Sequence, residues 1–195
     1  MVKLLEQVRA HLSSANTDEQ VEAARQLSEQ REWDALPELL RMLAQDECGY
    51  SVAHALRGFG PEVCDQVGLL LLHEHKPVQY RAAWTLAGFN DQRAVKPMLA
   101  ALSEPYFHEP FLPALSRMSI PDFDRVLARE LSRHRLATNL PSERFRASSF
   151  LWALTQMRTS AAADLAPFFT QDHHATLVRQ RAQRYLDAIT PNQQG

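Results

Sequence analysis

Few residues in this chain have the types and spacing that chemistry needs. His73-Glu74-His75, His108-Glu109 and His173-His174 are the histidine-bearing groups. A helical zinc site wants two imidazoles four residues apart, so that both project from one face. None of these groups has that spacing, and polar connecting loops are expected for all three. The two cysteines, Cys48 and Cys64, make neither a zinc pattern nor a disulfide framework. Neither has a glycine-rich elbow or an obvious base nearby, and Cys64 is expected to pack as a small apolar side chain. The 6 glycines form no phosphate-binding loop, and Gly58, Gly60 and Gly88 fit helix ends. Trp33, Trp84 and Trp152 suit packing better than a ligand cage. No residue is assigned a catalytic, cofactor-binding or metal-binding role, and no cofactor is expected.

Arg125, Arg129 and Arg133 recur at four-residue spacing and so line one helical face. A phosphate-backbone track would use such a stripe. The formal net charge is -2 and the pI about 6.4, without the positive excess of a dedicated nucleic-acid binder. Residues 1–116 hold 10 Lys/Arg against 16 Asp/Glu, a net of −6. Residues 117–195 hold 11 Arg against 7 Asp/Glu, a net of +4. The acidic half would repel the backbone that the basic half attracts, so nucleic acid is disfavoured. Two readings of the asymmetry stay open, drift in solvated charge or an Arg-rich end facing an acidic partner.

The elements that would position these residues repeat. Ala23-Ala24-Arg25-Gln26-Leu27 resembles Ala82-Ala83-Trp84-Thr85-Leu86, and Val52-Ala53-His54-Ala55-Leu56 has the same shape. Phe111-Leu112-Pro113-Ala114-Leu115, Phe150-Leu151-Trp152-Ala153-Leu154 and Arg181–Leu186 follow. The closing leucines fall at 27, 56, 86, 115, 154 and 186, at steps of 29, 30, 29, 39 and 32. Each copy opens a helix with small residues that let a neighbour approach. A second apolar stripe follows at helical spacing: Leu36, Leu39, Leu40 and Leu43; Val95, Met98, Leu99 and Leu102; Phe123, Val126, Leu127 and Leu131. One such stripe cannot bury itself, and stacking the pairs buries them all.

The punctuation agrees. Gly60-Pro61, Asn90-Asp91 and Pro121-Asp122 mark turns within pairs. Pro37, Pro97 and Pro167 fall in first turns of second helices, where a missing N–H costs least. Pro77 and Pro141 are expected to precede first helices, and Pro113 to delay or kink one. The long step contains a loop over Arg133–Ser142. The expected fold is a single all-α domain over 1–195, a right-handed α-solenoid of five to six helix-pair repeats. Its units are 17–47, 48–76, 77–105, 106–134, 141–172 and 173–190, with a capping helix over 1–16 and a tail over 191–195. The hydrophobic fraction of 45% supports a real core.

The stretch from Pro77 to Leu99 resembles the HEAT-like repeat named after phycocyanobilin lyases. It carries that repeat's basic residue, Ala-Ala, Leu, Gly, Asp, Arg-Ala-Val and Pro-Leu positions at Arg81, Ala82-Ala83, Leu86, Gly88, Asp91, Arg93-Ala94-Val95 and Pro97 onward. Residues 18–45 match in part, and the other units match mainly by period. The resemblance implies an α-solenoid, on which scaffolds, adaptors, bacterial immunity proteins, bilin lyases, DNA-repair enzymes and an iron hydroxylase are all built. The hydroxylase's His-Glu pairs open first helices, where this chain has Tyr80-Arg81. Fold therefore leaves function open.

In arrays of this kind the second helices usually line the concave face. The second-helix positions not needed for the core are Glu38, Arg41 and Gln45; Asp65, Leu69 and Leu72; Lys96 and Ala100; and Arg125, Arg129 and Arg133. The centre of that face is apolar or small and its ends are charged, as a protein-binding groove needs. Burial of Leu69 and Leu72 against a neighbouring unit is the competing reading. The expected function is a non-catalytic, cofactor-free adaptor, chaperone-like factor or immunity protein that binds another protein. The alternative is an enzyme or nucleic-acid binder on the same scaffold. The N-terminus lacks the apolar run and cleavage site of a secretory signal. With no span-length apolar segment and no disulfide framework, a cytoplasmic protein off the membrane is expected.

Overall fold

The computed structural model describes residues 2–44, 48–102, 111–133, 141–171 and 174–190. These residues form α-helices and short 3₁₀ turns with no strand. The helices are α1 (Val2–Ala10), α2 (Thr17–Glu29), α3 (Leu36–Met42), α4 (Gly49–Ala55), α5 (Cys64–Leu69), α6 (Lys76–Ala87), α7 (Val95–Ala101), α8 (Phe111–Arg117), α9 (Phe123–Arg133), α10 (Pro141–Met157), α11 (Ala166–Phe169) and α12 (Thr176–Ile189). The all-α class is as the periodicity predicts. Among the described residues, no helix is long and apolar enough to cross a membrane. The chain packs as two compact units, Met1–Tyr106 and Phe107–Gly195.

In the first unit the helices α2, α4 and α6 lie side by side, and α3, α5 and α7 form a second row, α3 bordering the turn after α5 and Arg93 tying α5 to the start of α7. The repeated motif is why. Ala23, Ala24 and Leu27 on α2 are buried, as are Val52, Ala53 and Leu56 in the second pair and Ala82, Ala83 and Leu86 on α6. Alanines bring backbones close enough for the Thr85 hydroxyl to donate to the Ala53 carbonyl at 2.9 Å. Each fully buried leucine contributes about 1.5–3 kcal/mol over leaving it exposed. The second-row stripes close the core from the other side, with Leu36, Leu39, Leu43, Met98 and Leu102 buried.

Three arginines fasten one pair to another, Arg81 reaching from the third pair to the first across Gly49 of the second. Arg81 on α6 donates to the Leu43 carbonyl at 2.7 Å and passes Gly49, where a Cβ would lie only 2.7 Å from its side chain. Arg57 lies 4.5 Å over the Trp84 ring and donates to the Trp84 carbonyl; a Cβ on Gly88 would overlap it. Arg93 donates to the Cys64 carbonyl at 3.3 Å beside Gly68.

The second unit repeats the plan. Helices α8, α10 and α12 pack on one another, α9 lies against α10, and α11 against α12. Leu115 and Leu154 are buried, as their place in the motif predicts. In the last copy the buried side chain is Tyr185, with Leu186 half-exposed, one position from the expected leucine. The Tyr185 hydroxyl donates to the Thr159 carbonyl at 2.8 Å and accepts from the Ala162 N–H at 3.0 Å. Pro77 and Pro141 lie within the first turns of α6 and α10 instead of before them. Trp33 is 40% exposed, its ring tilted at 45° against Phe59 with centroids 4.9 Å apart, and Trp84 and Trp152 are half-buried.

A backbone signature marks the joint inside each of the first five pairs. Arg31, Gly60, Asn90, Asp122 and Arg158 all have positive φ, between 50° and 87°. At the first joint the Glu32 N–H donates to the Leu27 carbonyl at 2.9 Å and the Arg31 N–H to the Ser28 carbonyl at 3.0 Å. Asp91 to Leu86 and Asn90 to Ala87 repeat this at 3.1 Å each. This is the Schellman helix end, which satisfies terminal carbonyls by turning one residue left-handed. A side chain at such a residue costs about 1–2 kcal/mol, and glycine returns part of that in the unfolded chain. Arg158 is exposed, with φ 50°. Arg158→Gly is expected to stabilise the fold by about 0.5–1 kcal/mol, read as a higher midpoint in urea melts. A lower midpoint would mean the side chain contributes more than its strain costs.

Candidate functional site

The second row of the first unit carries the most developed surface. Helix α3 follows a 3₁₀ turn at Trp33–Ala35 and has Pro37 in its first turn. Burying Leu36, Leu39 and Leu43 leaves Arg41 exposed and Leu40 at the margin. Helix α5 buries Cys64 and Val67, then tightens into a 3₁₀ turn at Leu70–Leu72. At three residues per turn, positions i and i+3 eclipse, so Leu69 and Leu72 come onto one side. They are 71% and 86% exposed. Beside them a recess of about 210 Å³ is lined by Leu40, Arg41 and Ala44 from one side and by Leu70, His73 and Val78 from the other.

Ion pairs set the register of this row. Arg9 lies 3.9 Å from Glu38 and donates to the Asp34 carbonyl at 2.9 Å. Arg93 pairs with Asp91 at 2.6 Å and reaches Asp65 at 3.2 Å, joining the starts of α5 and α7. The hydrogen bond from Arg93 holds the Asp91 carboxyl below the usual carboxylate range. Lys96 and Ala100 stand exposed on α7. Gln45 lies outside the described residues.

Arg125, Arg129 and Arg133 belong to the second unit, all exposed on α9. They are less available than their spacing suggests. Arg125 lies 3.4 Å from Asp122, and Arg133 holds the buried Glu130 carboxylate at 2.6 and 2.8 Å. Arg129 is 4.0 Å from the same carboxylate. Two carboxylates thus offset much of the field of three guanidinium groups, which weakens a phosphate track. Asp124 accepts from the Thr159 hydroxyl at 2.6 Å, which holds its carboxyl below the ordinary value.

The histidine groups do not assemble. His73 and His75 lie with ring centroids 5.4 Å apart, and the His73 Nδ1 accepts from the His75 N–H at 3.1 Å. Glu74 sits 3.4 Å from His75. Among the described residues no three metal-ligating side chains gather. His108, Glu109 and His173 lie outside the described residues. His174 departs from the polar-loop expectation: it is buried, 4.8 Å from the Phe168 ring and 5.4 Å from the Phe169 ring. Both cysteines are buried and neither forms a disulfide, and burial pushes the Cys64 thiol up.

Sequence reasoning missed the recess, because Leu40, Ala44, Leu70 and Val78 look like core positions. It also missed the fastening arginines. A signal existed: Arg57, Arg81 and Arg93 face Gly88, Gly49 and Gly68 across repeat boundaries.

Comparison with known proteins agrees with this architecture. Residues 78–104 match the family model described as PBS lyase HEAT-like repeat. They span most of α6, the joint at Asn90 and α7, so a HEAT-like repeat forms the third pair of this all-α chain. The fold is similar to that of a crystal structure of an engineered protein, at 20% identity and a TM-score of 0.50. The match covers 95% of this chain and 96% of that one. The sequence matches no curated protein.

Proposed function

We propose that the protein is a non-catalytic binding module whose second-row face in the first unit docks another protein. An adaptor, a chaperone-like factor or a toxin-neutralising immunity protein would each use the scaffold this way. The observation that carries the reading is the pair of exposed leucines, Leu69 and Leu72, beside an open recess. Large apolar side chains held in solvent on a rigid scaffold suit the centre of an interface, with charged side chains at its rim. Arg41, Asp65 and Lys96 supply that rim.

Comparison of Leu72→Glu with wild type tests this. Leu72 is 86% exposed, so the substitution is expected to change stability by less than about 0.5 kcal/mol. Tagged forms of both proteins are passed over lysate of the source organism. A protein recovered in stoichiometric amount by wild type and lost by Leu72→Glu supports the reading. Recovery of the same partner by both forms sinks this face as the site. Recovery of nucleic acid by both, with no protein, sinks the binding-module reading itself.

A further inference from the structure

Among the cations of the first unit whose side chains are described, Arg41 and Lys96 are the two without a polar partner. Arg9, Arg25, Arg31 and Arg93 have carboxylates. Arg57 and Arg81 bond to backbone carbonyls across repeats, and Lys76 has a partner of its own. Arg41 and Lys96 remain, both exposed. Both lie in the second row, on either side of Leu69 and Leu72. Arg41 lines the recess. Lys96 follows Arg93 by three residues, and Arg93 is tied to Asp65, four residues before Leu69. The carboxylates on the three second-row helices themselves are spoken for, Glu38 by Arg9 and Asp65 by Arg93. In a half of the chain that is acidic overall, this face alone among the described side chains offers uncompensated positive charge around an apolar centre.

We infer that the occupant of this face is an amphipathic helix whose apolar stripe seats on Leu69, Leu72 and the recess while acidic side chains flank it and meet Arg41 and Lys96. This rests on the binding-module reading and names the chemistry of its partner. Rim charges of this kind add selectivity more than affinity, and an apolar knob is what a recess between two second helices accepts. An anionic membrane is the weaker fit. A lipid surface has no knob for the recess, and the net charge of −6 over residues 1–116 repels it.

The test uses two designed helical peptides of roughly four turns. Both carry leucines at i, i+3, i+4 and i+7, one with glutamates and one with lysines beside the stripe. Each is titrated into the full chain at low salt and followed by amide chemical shifts. The acidic peptide is expected to move the amides of Arg41, Leu69–His73 and Lys96, and to bind about tenfold tighter than the basic one. The difference should shrink at high salt. The double variant Arg41→Glu, Lys96→Glu should reverse the preference with unchanged circular dichroism. Equal binding of both peptides at those amides overturns the acidic-helix inference and leaves the binding-module reading standing. No binding, or shifts elsewhere, also overturns it. Sedimentation with phosphatidylserine vesicles, abolished by the double variant and without peptide shifts, assigns the face to membranes instead.

Discussion

Replacing Arg81 with alanine is expected to lower the unfolding free energy by about 3 kcal/mol. The side chain is only 5% exposed. Its guanidinium donates to the Leu43 carbonyl just beyond α3 and lies 5.5 Å over the Tyr50 ring. Truncation orphans a carbonyl and opens a void above Gly49, and both effects act in one direction. Arg81→Met separates them, since the longer side chain keeps much of the packing and loses the donor. A loss of about 2 kcal/mol is expected there. Urea denaturation of both variants measures the difference. If Arg81→Met matches wild type, dehydrating the guanidinium costs as much as its hydrogen bonds return. The residue also bears on binding, because Leu43 lies between Arg41 and Ala44 of the recess in the chain. Arg81→Ala should therefore weaken partner capture without touching the partner.

Tyr185→Phe is expected to cost about 2 kcal/mol although the ring is kept. The lost hydroxyl serves two groups at once, the Thr159 carbonyl and the Ala162 N–H. Ala162 is fully buried, so water cannot readily replace the acceptor its N–H loses. Burial also raises the Tyr185 hydroxyl above its ordinary pKa, so it remains a donor through neutral and mildly alkaline pH. Hydrogen exchange at the Ala162 amide should quicken in the variant. Unchanged exchange and an unchanged melt would remove the hydroxyl from the fold's essential contacts.

The fold was legible because its strongest signal is local. Leu27, Leu56, Leu86, Leu115 and Leu154 are all buried, and a motif that recurs every thirty residues exposes the helix pair without any tertiary knowledge. The second-helix stripes were legible for the same reason. The last copy was displaced by one position because its motif is degenerate, and only packing decides between Tyr185 and Leu186. The solvent exposure of Leu69 and Leu72 depended on something no period reveals. Helix α5 stops after six residues and the chain tightens to three residues per turn, which rotates both leucines outward together. The engagement of Arg125 and Arg133 was hidden for another reason. Glu130 reads as a surface residue, yet it is buried and draws Arg133 onto its own helix.

The left-handed joints have a consequence for how such a chain changes length. The positive-φ residue falls four positions after the motif leucine in four of five pairs, at Arg31, Gly60, Asn90 and Arg158, and seven positions after it at Asp122. The passage from Leu115 to Leu154 is nonetheless the longest, at 39 residues. Three of the extra residues lie inside the pair, before Asp122. The rest fall after Asp122, and α10 begins at Pro141, 13 residues before Leu154, against 10 residues before the motif leucine in α2 and α6. In the first and third pairs the carbonyl of the motif leucine accepts from the N–H five residues ahead, so a residue added there breaks the cap. A pair closed this way resists insertion at its joint, whereas the fourth pair, with its left-handed residue displaced to Asp122, has absorbed three residues there.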